Sequence, residues 1–104
     1  MYDPEIYYKE ASDQIKDADD SHKSGWFLVV PASADQGGES GGGITVYNNP
    51  AETGDILFYQ NITDTNVYSP CQPMPLPYTN GLYLSLLDAY ATIYVWPGET
   101  AMPM

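Results

Sequence analysis

Residues Gly43–Asn61 read GITVYNNPAETGDILFYQN, two alternating runs on either side of a stretch of turn formers. In the first run Ile44 and Val46 alternate with Thr45 and Tyr47; in the second Ile56 and Phe58 alternate with Leu57 and Tyr59. Successive side chains of a strand point to opposite faces, so a period of two in β-branched and aromatic residues marks a half-buried strand. Between the runs stand Asn48, Asn49, Pro50, Gly54 and Asp55. Such residues reverse a chain because they tolerate positive φ, fix φ, or bond to their own backbone. The two runs are expected to pair as an antiparallel hairpin or meander.

The same grammar extends outward. Upstream, GWFLVVPA (Gly25–Ala32) is an apolar run ended by proline and is expected as a buried strand. SADQGGESGGG (Ser33–Gly43) holds five glycines and is expected as a loop. A phosphate cradle would need a lysine and a following helix N-terminus, whereas this loop carries Asp35 and Glu39 and runs into a strand. Downstream, Pro70, Pro73, Pro75 and Pro77 crowd SPCQPMPLPY. Proline has no N–H to donate and a locked φ, so this segment is excluded from a central strand or a helix and is expected as an extended surface crossover.

GLYLSLL (Gly81–Leu87) sets Leu82, Leu84 and Leu86 on one face. ATIYVWP (Ala91–Pro97) sets Ile93 and Val95 against Thr92, Tyr94 and Trp96. Only Asp88, Ala89 and Tyr90 intervene, which predicts a tight hairpin. Residues 1–23 are expected as an extended N-terminal arm with one or two short strands, 24–97 as the domain, and 98–104 as a tail that leaves it. No segment carries the apolar stripe of a surface helix. The expected fold class is all-β, a small antiparallel β-sandwich or jelly-roll-like barrel of six to eight strands with extended N- and C-terminal arms.

Charge narrows the function. Fourteen acidic residues face Lys9, Lys16 and Lys23, with no arginine, for a net charge of -11. Nucleic-acid binding draws on Lys and Arg contacts to phosphate, and attraction to anionic lipid on the same groups, so neither partner is expected. No apolar run reaches the ~20 residues of a membrane-spanning helix. The opening MYDPEIYYKE lacks the basic and apolar regions of a secretory signal. The single cysteine, Cys71, excludes an internal disulfide and reads as a small apolar side chain.

Catalytic groups are sparse. His22 is the one histidine and lies in a polar stretch. A Cys71–His22 dyad would need an orienting group and an oxyanion site that the local sequence does not offer. Asp13, Asp17, Asp19 and Asp20 form the best acidic cluster, but their spacing is not that of a calcium loop, so a solvated segment is expected. No enzyme activity, cofactor or metal is expected. Tyr94, Trp96 and Tyr59 are candidates for stacking on a sugar, although tyrosines on an outer sheet face more often pair across strands or meet another protein.

Taken together, a glycine-preceded strand ending in VYNN, a G-x-x-L-F strand, a proline crossover, NGLY, and the closing ATIYVWP resemble small β-sandwich virion proteins of tailed bacteriophages. The likeness covers Gly43–Pro97. It implies a capsid decoration (cement) protein, made in the host cytoplasm and bound to the capsid exterior. The implied partner is the major capsid protein, with self-association, a trimer being one form. Tyr2, Ile6, Tyr7 and Tyr8 of the arm, Pro73, Pro75 and Pro77 of the crossover, and Trp96 are the expected contact residues. A neck, tail, fibre or spike protein and a carbohydrate-binding module are the alternatives.

Overall fold

The computed structural model describes residues 3–19, 21–31, 42–62, 74–87 and 90–103. They form eight strands: β1 (Glu5–Lys9), β2 (Asp13–Lys16), β3 (Gly25–Pro31), β4 (Gly42–Tyr47), β5 (Ile56–Ile62), β6 (Leu76–Tyr78), β7 (Leu82–Leu87) and β8 (Ala91–Pro97). β4 pairs with β5, β3 with β6, β2 with β7 and β1 with β8, all antiparallel, so the chain folds back on itself as one long ribbon. The ribbon is then rolled: β8 also meets β3, and β7 also meets β4. Two four-stranded sheets result, β1-β8-β3-β6 and β2-β7-β4-β5. This is the strand order of a jelly roll, within the fold class read from the sequence.

The alternating runs supply the core. Phe27, Val29, Ile93 and Val95 from the first sheet meet Ile44, Val46, Leu82 and Leu84 from the second, all fully buried. Each such side chain contributes about 1.5–3 kcal/mol over an exposed one. Ile15 of β2 closes the cluster from one side. Tyr78 is also buried, and its hydroxyl donates to the His22 carbonyl at 3.1 Å, so the one polar atom it carries inward is satisfied.

Three expectations change. β7 and β8 are not a hairpin, because they belong to different sheets. Asp88-Ala89-Tyr90 has no glycine or asparagine for a tight hairpin turn, and the two leucine- and isoleucine-bearing faces bury each other across the sandwich. On β5 the register shifts opposite Val46 and Tyr47, which turns Leu57 toward the core beside Phe58 and leaves Ile56 57% exposed. The crossover does contribute a strand, β6, but as a sheet edge, where a missing N–H is tolerated.

The arm, expected to hold one or two short strands, forms two, β1 and β2, and each is hydrogen-bonded into a sheet, so the described part of the arm lies within the sandwich. At the other end the Gly98 N–H donates to the Ser24 carbonyl at 2.8 Å and Pro103 is buried, so the described tail turns back onto the protein. Before β7 the chain turns at Asn80-Gly81, where φ of Gly81 is +79°. A Cβ there would stand 2.7 Å from the Lys16 carbonyl oxygen, so both conformation and space require glycine.

Candidate interface on the outer face of the first sheet

Because Phe27 and Val29 point inward, Trp26, Leu28 and Val30 of β3 point out. Register continues this set across the sheet. Leu28 lies beside Tyr94 and Tyr94 beside Ile6; Val30 lies beside Thr92 and Thr92 beside Tyr8. Trp26 stands between Trp96 and Pro77. Three rows of three residues thus cover the sheet, and none of the nine is charged. Ile6 and Tyr8 are 62% and 50% exposed and Pro77 is exposed, while Trp26, Leu28, Val30, Thr92 and Tyr94 are half-buried among their neighbours.

Trp96 differs from the others. It is only 8% exposed, and its indole Nε1 is buried with no hydrogen-bond partner among the described residues. Buried donors are nearly always satisfied, so this one is an anomaly within the face.

Charges are gathered beside the face at the β1–β2 corner. Lys9 Nζ meets Asp13 Oδ2 at 2.7 Å, and Lys16 Nζ meets Glu5 Oε1 at 2.6 Å. Tyr7 points inward against the core and its hydroxyl donates to Glu5. Burial, reinforced by the Glu5 carboxylate, holds the Tyr7 hydroxyl above its ordinary pKa. For Asp13 the Lys9 hydrogen bond outweighs desolvation and lowers the carboxyl pKa. At the rim of the face the Tyr8 hydroxyl donates to Glu10 at 3.2 Å, and its ring meets Tyr90 edge-on at 6.5 Å. Desolvation and Glu10 raise the Tyr8 pKa.

Of the expected contact residues, Ile6, Tyr8 and Pro77 come together exposed on this face, with Trp96 at an outward position but buried among its neighbours. Tyr7 faces the core and Pro75 is buried, so neither is offered to a partner. Tyr2 and Pro73 lie outside the described residues, as does Cys71. Trp26, Leu28 and Val30 are not among the contact residues expected from the sequence. Their signal was present in GWFLVVP, which is apolar at both parities, but such a run also describes a strand buried on both sides.

The sugar platform does not assemble: Tyr94 and Trp96 belong to the first sheet and Tyr59 to the second, and Trp96 is buried. In the acidic segment Asp17 accepts a bond from the Asp19 backbone N–H at 2.9 Å, which is a local turn, and Asp20 lies outside the described residues. Among the described residues no group of three His, Cys, Asp or Glu side chains is placed to hold a metal ion. No protein-family model, curated protein or solved structure matches the chain.

Proposed function

We propose that the protein is a non-enzymatic capsid decoration (cement) protein of a tailed bacteriophage, and that it docks the outer face of its first sheet on the exterior of the head. The observation that carries this reading is the exclusion of every charge from nine outward positions of a chain whose net charge is -11. Burying an unpaired charge in an interface is costly, whereas apolar area contributes roughly 25 cal/mol per Å² removed from water. A charge-free face on an acidic protein is therefore the part that binds another protein at least cost. The rest of the surface repels packaged DNA and favours a place outside the shell over one lining it.

The likeness across Gly43–Pro97 supports a virion component. The jelly roll by itself does not, since lectins and cupins use it as well. The major capsid protein is the proposed partner.

The test is co-sedimentation with undecorated heads, comparing the natural chain with an Ile6→Lys/Tyr8→Lys pair. Both side chains are at least half exposed, so the variant keeps its core. Occupancy near that of the capsid subunits, lost in the variant, is expected. Absence of binding by the natural chain overturns the proposal, and a handful of copies at one vertex indicates a neck or tail component instead. Truncation of residues 1–10 is a poor test, because it removes β1 and the core contact of Tyr7.

A further inference from the structure

Among the described residues the two open sheets have four outer strands, β1, β6, β2 and β5. Unpaired edges recruit other strands unless something blocks them, and proline, charge, bulges and shortness are the usual blocks. β6 has three residues, one of them Pro77. β2 has four, with a register break between Gln14 and Lys16 and charges at Asp13 and Lys16. β1 follows Pro4 and carries Glu5 and Lys9. β5 has none of these protections apart from the bulge near its start: seven residues, ILFYQNI, without charge or proline. Two of its side chains, Ile56 and Tyr59, are 57% and 59% exposed.

We infer that β5 is the self-association edge, pairing antiparallel with β5 of a second copy about a two-fold axis at Tyr59. The two second sheets then run together as one eight-stranded sheet. Charge selects this occupant. Each copy carries a net charge of -11, so two copies approach closely only where neither presents a carboxylate. With Tyr59 opposite Tyr59 of the second copy, residues 57–61 of each strand face one another and none is charged. A basic strand would find no acidic side chain on β5 to pair with, and an acidic one would add to the repulsion. Side-chain parity also holds. Tyr59 shares the outward face with Thr45, and Phe58 and Gln60 lie on the opposite face, where the two-fold sets one against the other. The association is thereby a pair and not a trimer, and it stands whether or not the capsid reading does.

Sedimentation velocity across a concentration series tests it. Two-chain particles are expected, and they should strengthen as salt is raised, since screening removes the like-charge repulsion. Tyr59→Glu sets two carboxylates directly opposite each other and should weaken the pair by at least roughly tenfold in Kd, with the melting temperature unchanged at concentrations low enough for both chains to be monomeric. In a Cys71→Ser background, Tyr59→Cys should form an intermolecular disulfide under mild oxidation, because cross-strand neighbours lie within roughly the 4.4–6.8 Å Cα range such a bond needs. Tyr83→Cys, on β7 inside the sheet, should not. A monomer at all concentrations and salts, a trimer, or equal cross-linking at both positions overturns the inference.

Discussion

Lys16 on β2 donates to Glu5 on β1 at 2.6 Å, and with Lys9–Asp13 this ion pair joins the edge of one sheet to the edge of the other. Desolvation pushes the Glu5 pKa up, but hydrogen bonds from Lys16 and Tyr7 outweigh it and hold the carboxyl below its ordinary 4.5. A depressed folded value means the unfolded chain takes up the proton first as pH falls. The contribution is therefore complete above the ordinary glutamate range and lost as pH drops through the folded value. Urea unfolding of the natural chain and Glu5→Gln should differ most at neutral pH, by less than about 1 kcal/mol because Glu5 is 44% exposed and screened. The difference should close in acid. A gap that does not change with pH would show that the charge of Glu5 is not its source.

Gly81 and Gly54 separate two costs of replacing glycine. Both have positive φ, +79° and +97°, so alanine is strained at either. At Gly54 the nearest atom to a new Cβ is Asn49 Cβ at 3.4 Å, an ordinary contact, whereas at Gly81 it is the Lys16 carbonyl oxygen at 2.7 Å. Gly54→Ala should cost about 1 kcal/mol, the conformational part alone. Gly81→Ala should cost about 3 kcal/mol or more, because backbone on both sides has to move. Equal losses in chemical denaturation would show that the close approach to Lys16 is not felt.

The alternation in GITVYNN, GLYLSLL and ATIYVWP was enough to find Ile44, Val46, Leu82, Leu84, Ile93 and Val95, because strand periodicity reports which face is buried. It does not report which strand lies alongside. β7 and β8 are three residues apart in sequence and in different sheets, since the three intervening residues lack a hairpin turn and both apolar faces gain more by meeting across the core. Ile56 went astray for a related reason: one extra residue on β5 opposite Val46 and Tyr47 inverts the faces before it. The candidate face was legible only in part. Ile6, Tyr8 and Trp96 are conspicuous aromatic or apolar residues, but that they share one surface with Trp26, Leu28 and Val30 follows from register, a long-range property.

Asn48 pins the turn that precedes β7. Its Oδ1 accepts from the Thr79 and Asn80 backbone N–H groups at 2.8 and 3.0 Å, and its Nδ2 donates to Thr79 Oγ1 at 3.0 Å. Asn48→Ala leaves both N–H groups to water, since the site is exposed, and should cost about 1 kcal/mol. Asn48→Asp keeps the acceptor and loses only the donated bond, so it should retain more than half of that stability. If the two variants unfold at the same urea concentration, the acceptor bonds are not what holds the turn.

Trp96 presents two opposing effects whose sizes are close enough to need measuring. The residue is only 8% exposed, and shortening a side chain in such a place leaves a cavity costing about 1–2 kcal/mol. Its Nε1 donor is buried without a partner among the described residues, a penalty of about 1–3 kcal/mol that phenylalanine would not incur. Trp96→Phe should therefore fall within about 1 kcal/mol of the natural chain, on either side of it. Phe27→Leu, which removes buried area at a fully buried site with no orphaned donor to relieve, should be clearly destabilising by comparison. A loss for Trp96→Phe well above that of Phe27→Leu would mean that the indole N–H has a bonded partner in solution, such as an ordered water, and that the outer face is polar at this one point.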